Sequence, residues 1–313
     1  MESSKSIEVS VVIVSYNVRY FVLEGIGSIY TYLNKSFEVI LVDNCSGDGT
    51  IEAVKEQFPE VTIISNIENV GFSSANNQAF EICKGNSILM LNPDASFVDE
   101  SINLLVDELI TQKDKYVILG PKIVNPDLTF QHSCWRFPSP FHHLLELVFL
   151  NTLIKTNSYN TQHWKKITQV DFLSGACIAF SKETLNRLTG LDKDLFWMDD
   201  VDFCKRNREI GGENYFYPGS TIRHYIGQSS KKNQRVVISN QIISKLKYYK
   251  KHNQKINFIL SVPIFIIHII TRIPVFLVLG VIKSFYLKKA AAYTFTFKRM
   301  FDYLFLNEQS VIK

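Results

Sequence analysis

The sequence predicts an α/β protein built on a mostly parallel sheet with helices on both faces. Over the first hundred residues, short runs rich in β-branched residues alternate with segments whose apolar residues recur at helical spacing. Several of these runs end in polar clusters, and 46% of the 313 residues are apolar, as in a globular chain. Ligands of such sheets bind beyond the carboxyl ends of the strands, so the polar clusters predict one shared crevice.

Four strands and three helices are predicted in this first part. The strands are Val9–Val14, Phe37–Val42, Val61–Ser65 and Ser87–Leu91. The helices are a segment with apolar residues at Phe21, Ile26, Ile29 and Leu33, a segment capped by Asp48 or Thr50 that runs through Phe58, and Ser73 to Cys83. The polar clusters follow the first, second and fourth strands, at Ser15-Tyr16-Asn17, Asp43-Asn44 and Asn92-Pro93-Asp94.

The remainder of this domain is less regular in sequence. Residues 116–169 are rich in aromatic residues and histidines, and we expect irregular insertions that cover the crevice there. Residues 170–230 form a second block, with a strand at Tyr215–Tyr217, a turn at Pro218-Gly219 and then His224. We place the catalytic domain at residues 1–235 and a C-terminal helical extension at 236–313.

The composition excludes several classes of protein. A net charge of +4 lacks the concentrated basic face of a nucleic-acid-binding protein, so no nucleic-acid partner is expected. The five cysteines are widely spaced without a CxxC pair, which argues against a disulfide framework or a cysteine zinc site. No signal-peptide pattern precedes the first strand, so we expect a cytoplasmic protein.

The C-terminal extension differs in character from the rest of the chain. Residues Ile256 to Ile282 are almost wholly apolar but are interrupted by two prolines, a histidine and Arg272, and lysines crowd both ends. A central arginine costs about 2.5–3.5 kcal/mol on insertion scales, and basic flanks on both sides give a single span no preferred orientation. We therefore expect helices that lie on the inner face of the cell membrane, with a buried helix pair or an oligomer interface as the alternative.

One carboxylate after a strand and one cluster of three acids predict chemistry. A carboxylate at Asp94, after a strand and a proline, suits Mg²⁺ or Mn²⁺, although an Asn-Pro-Asp turn alone also explains the pattern. Asp199, Asp200 and Asp202 are crowded between aromatic residues, and such crowding raises at least one carboxyl pKa toward the range of a general base. The structural alternative is a helix N-terminus, which favours Asp.

Seven motifs in series resemble family 2 glycosyltransferases. They are VSYN (14–17), VDNCSGDGT (42–50), NVGFSSANN (69–77), LNPDA (91–95), FLSGACIAFSKE (172–183), DLFWMDDVDFCKR (194–206) and RHYIGQSS (223–230). Within the family, GFSSANN, LNPD and HSCWRFPSP (132–140) are typical of a branch that contains many rhamnosyltransferases. The resemblance covers about residues 8–230 and implies a GT-A fold, one α/β domain around a nucleotide-binding crevice.

The resemblance also implies roles for particular residues. Those expected to bind the nucleotide-sugar donor are Ser15, Tyr16, Asn17, Asp43, Asn44, Asn76 and Asn92. Asp94 matches the second acid of the family's DxD metal motif, whose first acid is Asn92 in this sequence, and His224 matches a histidine that completes the metal site or touches the diphosphate. Asp200 matches the catalytic base, with Asp199 as the second candidate.

The implied reaction inverts the anomeric centre by direct displacement. Asp200 is expected to remove the proton of the acceptor hydroxyl, while Mg²⁺ or Mn²⁺ at Asp94 neutralises charge on the departing nucleoside diphosphate. The branch favours L-rhamnose from dTDP-rhamnose as the donor. The apolar, basic tail favours a saccharide acceptor linked to polyprenyl diphosphate, in cell-surface polysaccharide synthesis.

Two alternatives stay open at this point. One is the same chemistry with a UDP-hexose donor, because the motifs separate donor sugars poorly. The other is a catalytically silent, membrane-attached binding protein of the same fold. A nucleotidyltransferase is disfavoured because no glycine-rich loop follows the first strand, and a dehydrogenase because no GxGxxG follows any strand.

Overall fold

The computed structural model describes residues 6–112, 116–150, 157–228 and 234–306, which fall into two compact units. The sheet unit lies within Met1–Arg136, Ser158–Lys193 and Asp200–Ser229. The helical unit lies within Phe137–Asn157, Asp194–Asp199 and Ser230–Lys313. The helical unit thus includes two segments that precede residue 235. The boundary between a catalytic domain and a C-terminal extension at residue 235 stays a prediction.

The described strands all belong to the sheet unit. They are β1 (Val9–Ser15), β2 (Phe37–Asp43), β3 (Thr62–Ser65), β4 (Ser87–Leu91), β5 (Ala95–Phe97), β6 (Val117–Val124), β7 (Phe130–Gln131), β8 (Cys134–Trp135), β9 (Thr168–Gln169), β10 (Phe172–Leu173), β11 (Cys177–Ser181) and β12 (Glu213–His224). The described helices are α1 (Arg19–Tyr32), α2 (Thr50–Gln57), α3 (Phe72–Ile82), α4 (Ile102–Thr111), α5 (Pro140–Leu147), α6 (Lys182–Leu188), α7 (Asp199–Glu209), α8 (Gln234–Lys251), α9 (Lys255–Gly280) and α10 (Ser284–Phe305). The four predicted strands and three predicted helices are all present, within one or two residues of their predicted ends.

The main sheet is mixed, with its parallel part where the sequence predicted one. β3, β2, β1 and β4 are parallel neighbours in that order. β11 then pairs antiparallel with both β4 and β6, and β12 runs parallel to β6 but antiparallel to β5. The carboxyl ends of β1, β2 and β4 therefore share one edge, as the crevice prediction requires.

β6 corrects the expectation that residues 116–169 are irregular. It is an eight-residue, largely buried strand inside the main sheet, between β11 and β12. Gly120 and Pro121 interrupt its apolar run, and residues of these two types usually argue against a central strand. The sequence pattern therefore did not indicate that β6 is a strand.

Both faces of the sheet are buried. On one face, alternate residues such as Val11 and Leu89 pack into an apolar core with side chains of α1 and α4. On the other, Phe180 of β11 contacts Phe80 of α3 and Phe203 of α7. Strands buried on both faces read as continuous apolar runs, which is why β1 and β4 were recognisable in the sequence.

β12 contains a bulge where the sequence analysis placed a turn. Tyr217 lies opposite Pro121 of β6, and Thr221 lies opposite the next residue, Lys122, so β12 carries three extra residues between them. The prediction of a turn at Pro218-Gly219 was therefore wrong. A residue without an N–H is tolerated at a bulge, and the strand continues beyond it to His224.

The helical unit has an apolar core of its own, formed by α8, α9 and α10. Leu246, Phe265, Ile269 and Met300 are among its buried members. α9 is continuous over 26 residues and includes both of its prolines. Among the described residues it is the one helix long and apolar enough to cross a membrane, by length and composition alone, and 17% of its most apolar window is buried.

Arg272 lies on the buried face of α9 and is 5% exposed. Its guanidinium donates hydrogen bonds of 3.0–3.2 Å to the carbonyls of Glu146 and Leu147 and stacks over the ring of Phe149 at 3.9 Å. These carbonyls belong to the last turn of α5, where a helix leaves its acceptors unpaired. Arg272 therefore caps α5 within the helical unit.

Candidate active site

The polar ends of β1 and β2 are joined by hydrogen bonds between buried groups. Ser15 Oγ donates to Asp43 Oδ1 at 2.7 Å, and both residues are fully buried. The second oxygen of Asp43 accepts from the backbone N–H of Ser46 at 2.8 Å, and the N–H of Asn44 donates to the Ser15 carbonyl. The Asp43 carboxylate is therefore fixed at the edge where a parallel sheet presents its ligands.

Asn17 locks the loop after β1 to the loop after β2. Its backbone has a left-handed φ of 55°, its N–H donates to Ser46 Oγ at 2.9 Å, and its Oδ1 accepts from the Gly47 N–H at 2.8 Å. Tyr16 beside it is 38% exposed. The side chain of Asn44 accepts from Asn66 Nδ2 at 2.9 Å. The structure thus brings five predicted donor-binding residues into two interlocked loops.

An open pocket of about 360 Å³ adjoins these loops. It is lined by Asn17, Val18, Arg19, Tyr20, Phe21, Asp48 and Gln228. Arg19 begins α1, and its N–H donates to Asp48 Oδ2 at 2.8 Å. The volume is typical of small-molecule sites, and Arg19 and Asp48 bring one positive and one negative charge to it. Sequence reasoning did not single out Arg19, although it follows the VSYN motif by two residues.

Two further predicted donor residues are placed less directly. Asn76 is buried in α3, where its Nδ2 donates to the Phe72 carbonyl and its Oδ1 has no hydrogen-bond partner among the described residues. Asn92 is half-buried, and its backbone N–H donates to the Ala176 carbonyl at 2.9 Å. The described structure shows no hydrogen bond from either residue to the Ser15–Asp43 pair.

Asp94 and His224 face each other at the exit of β4. Asp94 Oδ1 lies 3.3 Å from His224 Nε2, while Oδ2 accepts from the backbone N–H of Gln228 at 3.1 Å. Burial raises the pKa of the Asp94 carboxyl, but the backbone amides and the His224 imidazole, which acts in this way when its Nε2 carries a proton, lower it by more, so the net pKa lies below its usual value. The Asp94 carboxyl is therefore ionised at neutral pH.

The hydrogen bonds around Gln131 determine which nitrogen of His224 carries the proton. Gln131 Nε2 donates to Asn125 Oδ1 at 2.9 Å and to the His224 carbonyl at 3.2 Å, which leaves Oε1 as the acceptor. His224 Nδ1 lies 2.8 Å from that oxygen and must donate to it. In the neutral ring, Nε2 then presents a lone pair toward the Asp94 carboxylate. A cation or a second proton is needed to relieve the repulsion.

This pair of donors fits a divalent cation. It combines a hard carboxylate oxygen with an imidazole whose other nitrogen is held by an acceptor, an arrangement typical of metal-binding histidines. His224 Nε2 is buried and has no hydrogen-bond partner within the described ranges. Those ranges contain no group of three or more His, Cys, Asp or Glu side chains that could hold a metal ion. Further ligands would therefore come from a bound diphosphate or from water, as Mg²⁺ commonly requires.

Asp200 lies in the first turn of α7 with its carboxyl held by backbone amides. Oδ2 accepts from the Gly175 N–H at 3.0 Å, and Oδ1 accepts from the Val201 N–H at 2.8 Å. Burial raises the pKa of this carboxyl to about 6, since it outweighs the opposing effect of these hydrogen bonds. A carboxyl that titrates near pH 6 is suited to accept a proton under physiological conditions.

The other two acids of this cluster differ from Asp200. Asp199 is the half-buried first residue of α7. Asp202 is fully buried and accepts a 2.7 Å hydrogen bond from Arg206 Nε, which also places it in an ion pair. Asp202 thus has a structural partner. The cluster also lies at the N-terminus of α7, where the helix dipole favours Asp. Its position is therefore compatible both with a general base and with a purely structural role.

The loop after β12 is fastened to the Asp94 loop and to α1. The Tyr225 hydroxyl donates to both oxygens of Glu24, at 3.1 and 3.0 Å, and the Tyr225 N–H donates to the Asp94 carbonyl at 2.9 Å. Ile226 follows with a φ of 52°, an uncommon conformation for a β-branched residue. This strained turn aims the Gln228 N–H at Asp94, and sequence reasoning missed both Glu24 and Gln228.

Comparisons with known proteins identify the family of the chain. The model of a family described as Glycosyl transferase family 2 matches residues 10–189, more than half of the chain. N-acetylglucosaminyl-diphospho-decaprenol L-rhamnosyltransferase of Mycobacterium tuberculosis is 25% identical over 237 residues, which cover 70% of this chain and 76% of the relative. An uncharacterized glycosyltransferase of Haemophilus influenzae is 26% identical over 196 residues, or 62% of this chain and 60% of the relative.

Two solved structures share the fold at low sequence identity. The mannosyltransferase PcManGT of Pyrobaculum calidifontis, solved with GDP-Man and Mn²⁺, has a TM-score of 0.58 at 17% identity and covers 97% of this chain and 89% of its own. GalNAc-T7, solved with UDP, GalNAc and Mn²⁺, has a TM-score of 0.54 at 16% identity. The match covers 80% of this chain and 55% of the GalNAc-T7 chain. The fold is therefore that of GT-A glycosyltransferases, and the chain belongs to glycosyl transferase family 2.

Proposed function

We propose that this glycosyltransferase moves L-rhamnose from dTDP-rhamnose to a hydroxyl of a saccharide carried on polyprenyl diphosphate, with inversion, in cell-surface polysaccharide synthesis. The rhamnose and the lipid-linked acceptor are supported by the Mycobacterium tuberculosis relative, whose name specifies both. The GFSSANN and LNPD motifs of the rhamnosyltransferase-like branch support the same donor.

One chain of contacts carries the catalytic part of the proposal. The Gly175 N–H donates to Asp200, and the carbonyl of the next residue, Ala176, accepts from the Asn92 N–H in the LNPD motif. A single short segment thus bonds both the proposed base and the loop that carries Asp94. This arrangement supports a base and a diphosphate-binding carboxylate acting on the same sugar.

In the proposed mechanism, Asp200 accepts the proton of the acceptor hydroxyl as its oxygen attacks the anomeric carbon. The bond between that carbon and the diphosphate oxygen breaks in the same step, and the nucleoside diphosphate departs. Asp94 and His224 would hold Mg²⁺ or Mn²⁺, which when bound neutralises charge on the leaving group. The presence of Mn²⁺ in both solved neighbours supports a divalent ion without choosing between the two metals.

The proposed donor site is formed by the loops after β1 and β2. Asp43, buried and held by Ser15, would orient the nucleoside together with Tyr16, Asn17 and Asn44. The guanidinium of Arg19 would face the diphosphate in the adjoining pocket. Asn76 and Asn92 keep the donor-binding roles proposed from the family resemblance.

A thermal-shift screen with nucleoside diphosphates and nucleotide sugars, with and without Mn²⁺ or Mg²⁺, tests the proposal. A ligand that binds only the folded state stabilises it by about 2.7 kcal/mol at a hundredfold excess over its Kd. Metal-enhanced stabilisation by dTDP-rhamnose supports the donor. Stabilisation by a UDP-hexose instead replaces the donor and keeps the enzyme class, and transfer to a polyprenyl-diphosphate saccharide, followed by mass spectrometry, tests the acceptor.

A further inference from the structure

The basic residues of the chain are concentrated near its C-terminus. Residues 234–306 hold twelve Lys or Arg residues and one acidic residue, Asp302. The whole chain has 34 basic and 30 acidic residues, which leaves 22 basic and 29 acidic residues, a net charge of −7, for the rest. The modest overall charge therefore combines an acidic catalytic part with a strongly basic helical one.

α9 presents an apolar stripe to solvent along its whole length. Its buried residues recur at Ser261, Phe265, Ile269 and Arg272, on one side of the helix. The exposed side carries Ile256, Ile259, Leu260, Ile267, Ile270, Val275 and Val278, each about half to three-quarters exposed. A helix on the surface of a soluble protein ordinarily shows polar side chains there, so this face is built to meet an apolar partner.

The stripe continues into the turn between α9 and α10. Val281 and Ile282 are 89% and 76% exposed, and Phe285 and Leu287 follow them on the first turn of α10. Exposed lysines flank the apolar surface at both ends, Lys250, Lys251 and Lys255 on one side and Lys283 and Lys288 on the other. Apolar residues rimmed by lysines are typical of segments that enter the headgroup region of an anionic bilayer.

Internal contacts keep α9 attached to its neighbours. Arg272 is committed to the carbonyls of α5, and Glu146 of that helix also accepts from Lys245 of α8 at 3.1 Å. A transmembrane α9 would have to carry these charges into the hydrocarbon or leave them unpaired. A second copy of the chain is an unfavourable partner as well, because pairing through this face would oppose two basic rims.

We propose that the exposed face of α9, the turn that follows it and the start of α10, up to residue 288, dock on the surface of a bilayer rich in anionic phospholipids, without crossing it. The apolar stripe enters the headgroup boundary, and the flanking lysines contact lipid phosphates. The helical unit then holds the enzyme at the membrane. This inference stands apart from the proposed donor and acceptor, since it depends only on the charge and exposure of residues 234–306.

The test is flotation of the purified full-length chain with vesicles of phosphatidylcholine alone and of phosphatidylcholine mixed with phosphatidylglycerol. We expect binding to the mixed vesicles only, and release in about 1 M salt, where the Debye length falls to about 3 Å. Lys283→Gln and Lys288→Gln should each weaken partition about fivefold. Val281→Asp and Ile282→Asp should each weaken it about tenfold or more.

Ile67→Asp is the matched control, because Ile67 is 97% exposed in the sheet unit and should leave partition unchanged. Circular dichroism of each variant establishes that it is folded. Equal binding to both vesicle types would exclude the role of anionic lipid, and binding that survives alkaline carbonate extraction would indicate a span; either result would overturn the proposal. Absence of vesicle binding, or a dimer dissolved by Val281→Asp, would overturn it too. The assay contains no nucleotide, so its failure is distinct from failure of the proposed function.

Discussion

His224 Nε2 lies 3.3 Å from Asp94 Oδ1, and the hydrogen bond that fixes the ring is made on its other side, by Gln131. Gln131 is itself oriented by Asn125. In the neutral ring, the position of the lone pair that faces Asp94 is therefore set by Gln131 and Asn125, which are not themselves proposed metal ligands. Metal affinity should depend on this line of amides as well as on the two donors.

Replacing Gln131 by alanine should weaken Mn²⁺ binding about 10- to 100-fold, because His224 Nδ1 loses its acceptor and the ring its orientation. Titration calorimetry of Mn²⁺ in the presence of a nucleoside diphosphate measures the change. Gln169→Ala is the control, since the side chain of Gln169 is exposed and donates to Glu213 rather than to a residue of the candidate site. Equal affinities in the two variants would contradict the role assigned to Gln131.

Asp200→Asn should bind the donor normally and lose transfer by about 10²- to 10⁴-fold, the range expected for removal of a general base. The amide oxygen can still accept from Gly175, so the local structure should persist. Donor binding is measured by thermal shift and transfer by product formation. Asp199→Asn provides the comparison and should keep most of the activity. If Asp199→Asn is the inactive variant, the second candidate is the base.

The rate should fall in acid with the titration of Asp200. Burial raises the pKa of its carboxyl to about 6, and the base must be ionised to accept a proton. We expect kcat/KM to be nearly constant above that pH and to drop about tenfold per pH unit below it. A profile that stays flat down to pH 4.5 would exclude a base with this pKa.

Asp200→Asn should also make the protein more stable at neutral pH. The pKa of about 6 in the folded state exceeds the ordinary carboxyl value, so between about pH 4 and 6 the folded state binds the proton more tightly than the unfolded state. The stability of the wild type therefore falls as pH rises through that window, by up to about 3 kcal/mol. Urea unfolding without metal should show the variant about 1–3 kcal/mol more stable at pH 7 and nearly equal at pH 4. A less stable variant at pH 7 would contradict the assigned shift.

Arg272→Leu should destabilise the helical unit by about 1–3 kcal/mol, since the Leu147 carbonyl loses its guanidinium donor and the Glu146 carbonyl, which also accepts from the Phe149 N–H, loses one of its donors. Hydrogen exchange should report the loss as faster opening of residues 140–147, separately from the sheet unit. Lys298→Leu removes a charge from the exposed side of α10 and should leave that exchange unchanged. Unaltered protection of α5 in Arg272→Leu would refute the capping role.

Elements whose local sequence pattern agrees with their tertiary position were predictable from the sequence. β4 has the predicted bounds because a run buried on both faces has no polar interruption. The polar residues after β1 and β2 meet because parallel strands place them at one edge. β6 escaped detection because Gly120 and Pro121 resemble a turn, and only the neighbouring strands show that they lie within a sheet.

The contacts of the candidate site that were missed are long-range ones. Gln131 and His224 are separated by 93 residues, and Glu24 and Tyr225 by 201. No periodicity or spacing links such pairs in a single sequence. Arg272 was noticed as a charge in an apolar run, but its partners on α5 lie more than 120 residues earlier, so its capping role was beyond local reasoning.

The length of the bulge in β12 sets the position of the His224 imidazole at the end of that strand. Each residue of a strand advances it by about 3.3 Å and turns the next side chain to the opposite face. Loss or gain of one residue between Tyr217 and Thr221 would therefore move His224 along the sheet and direct its ring away from Asp94, even with the histidine retained. Among relatives of this chain, the length of that stretch should separate those that keep this proposed metal ligand from those that have lost it.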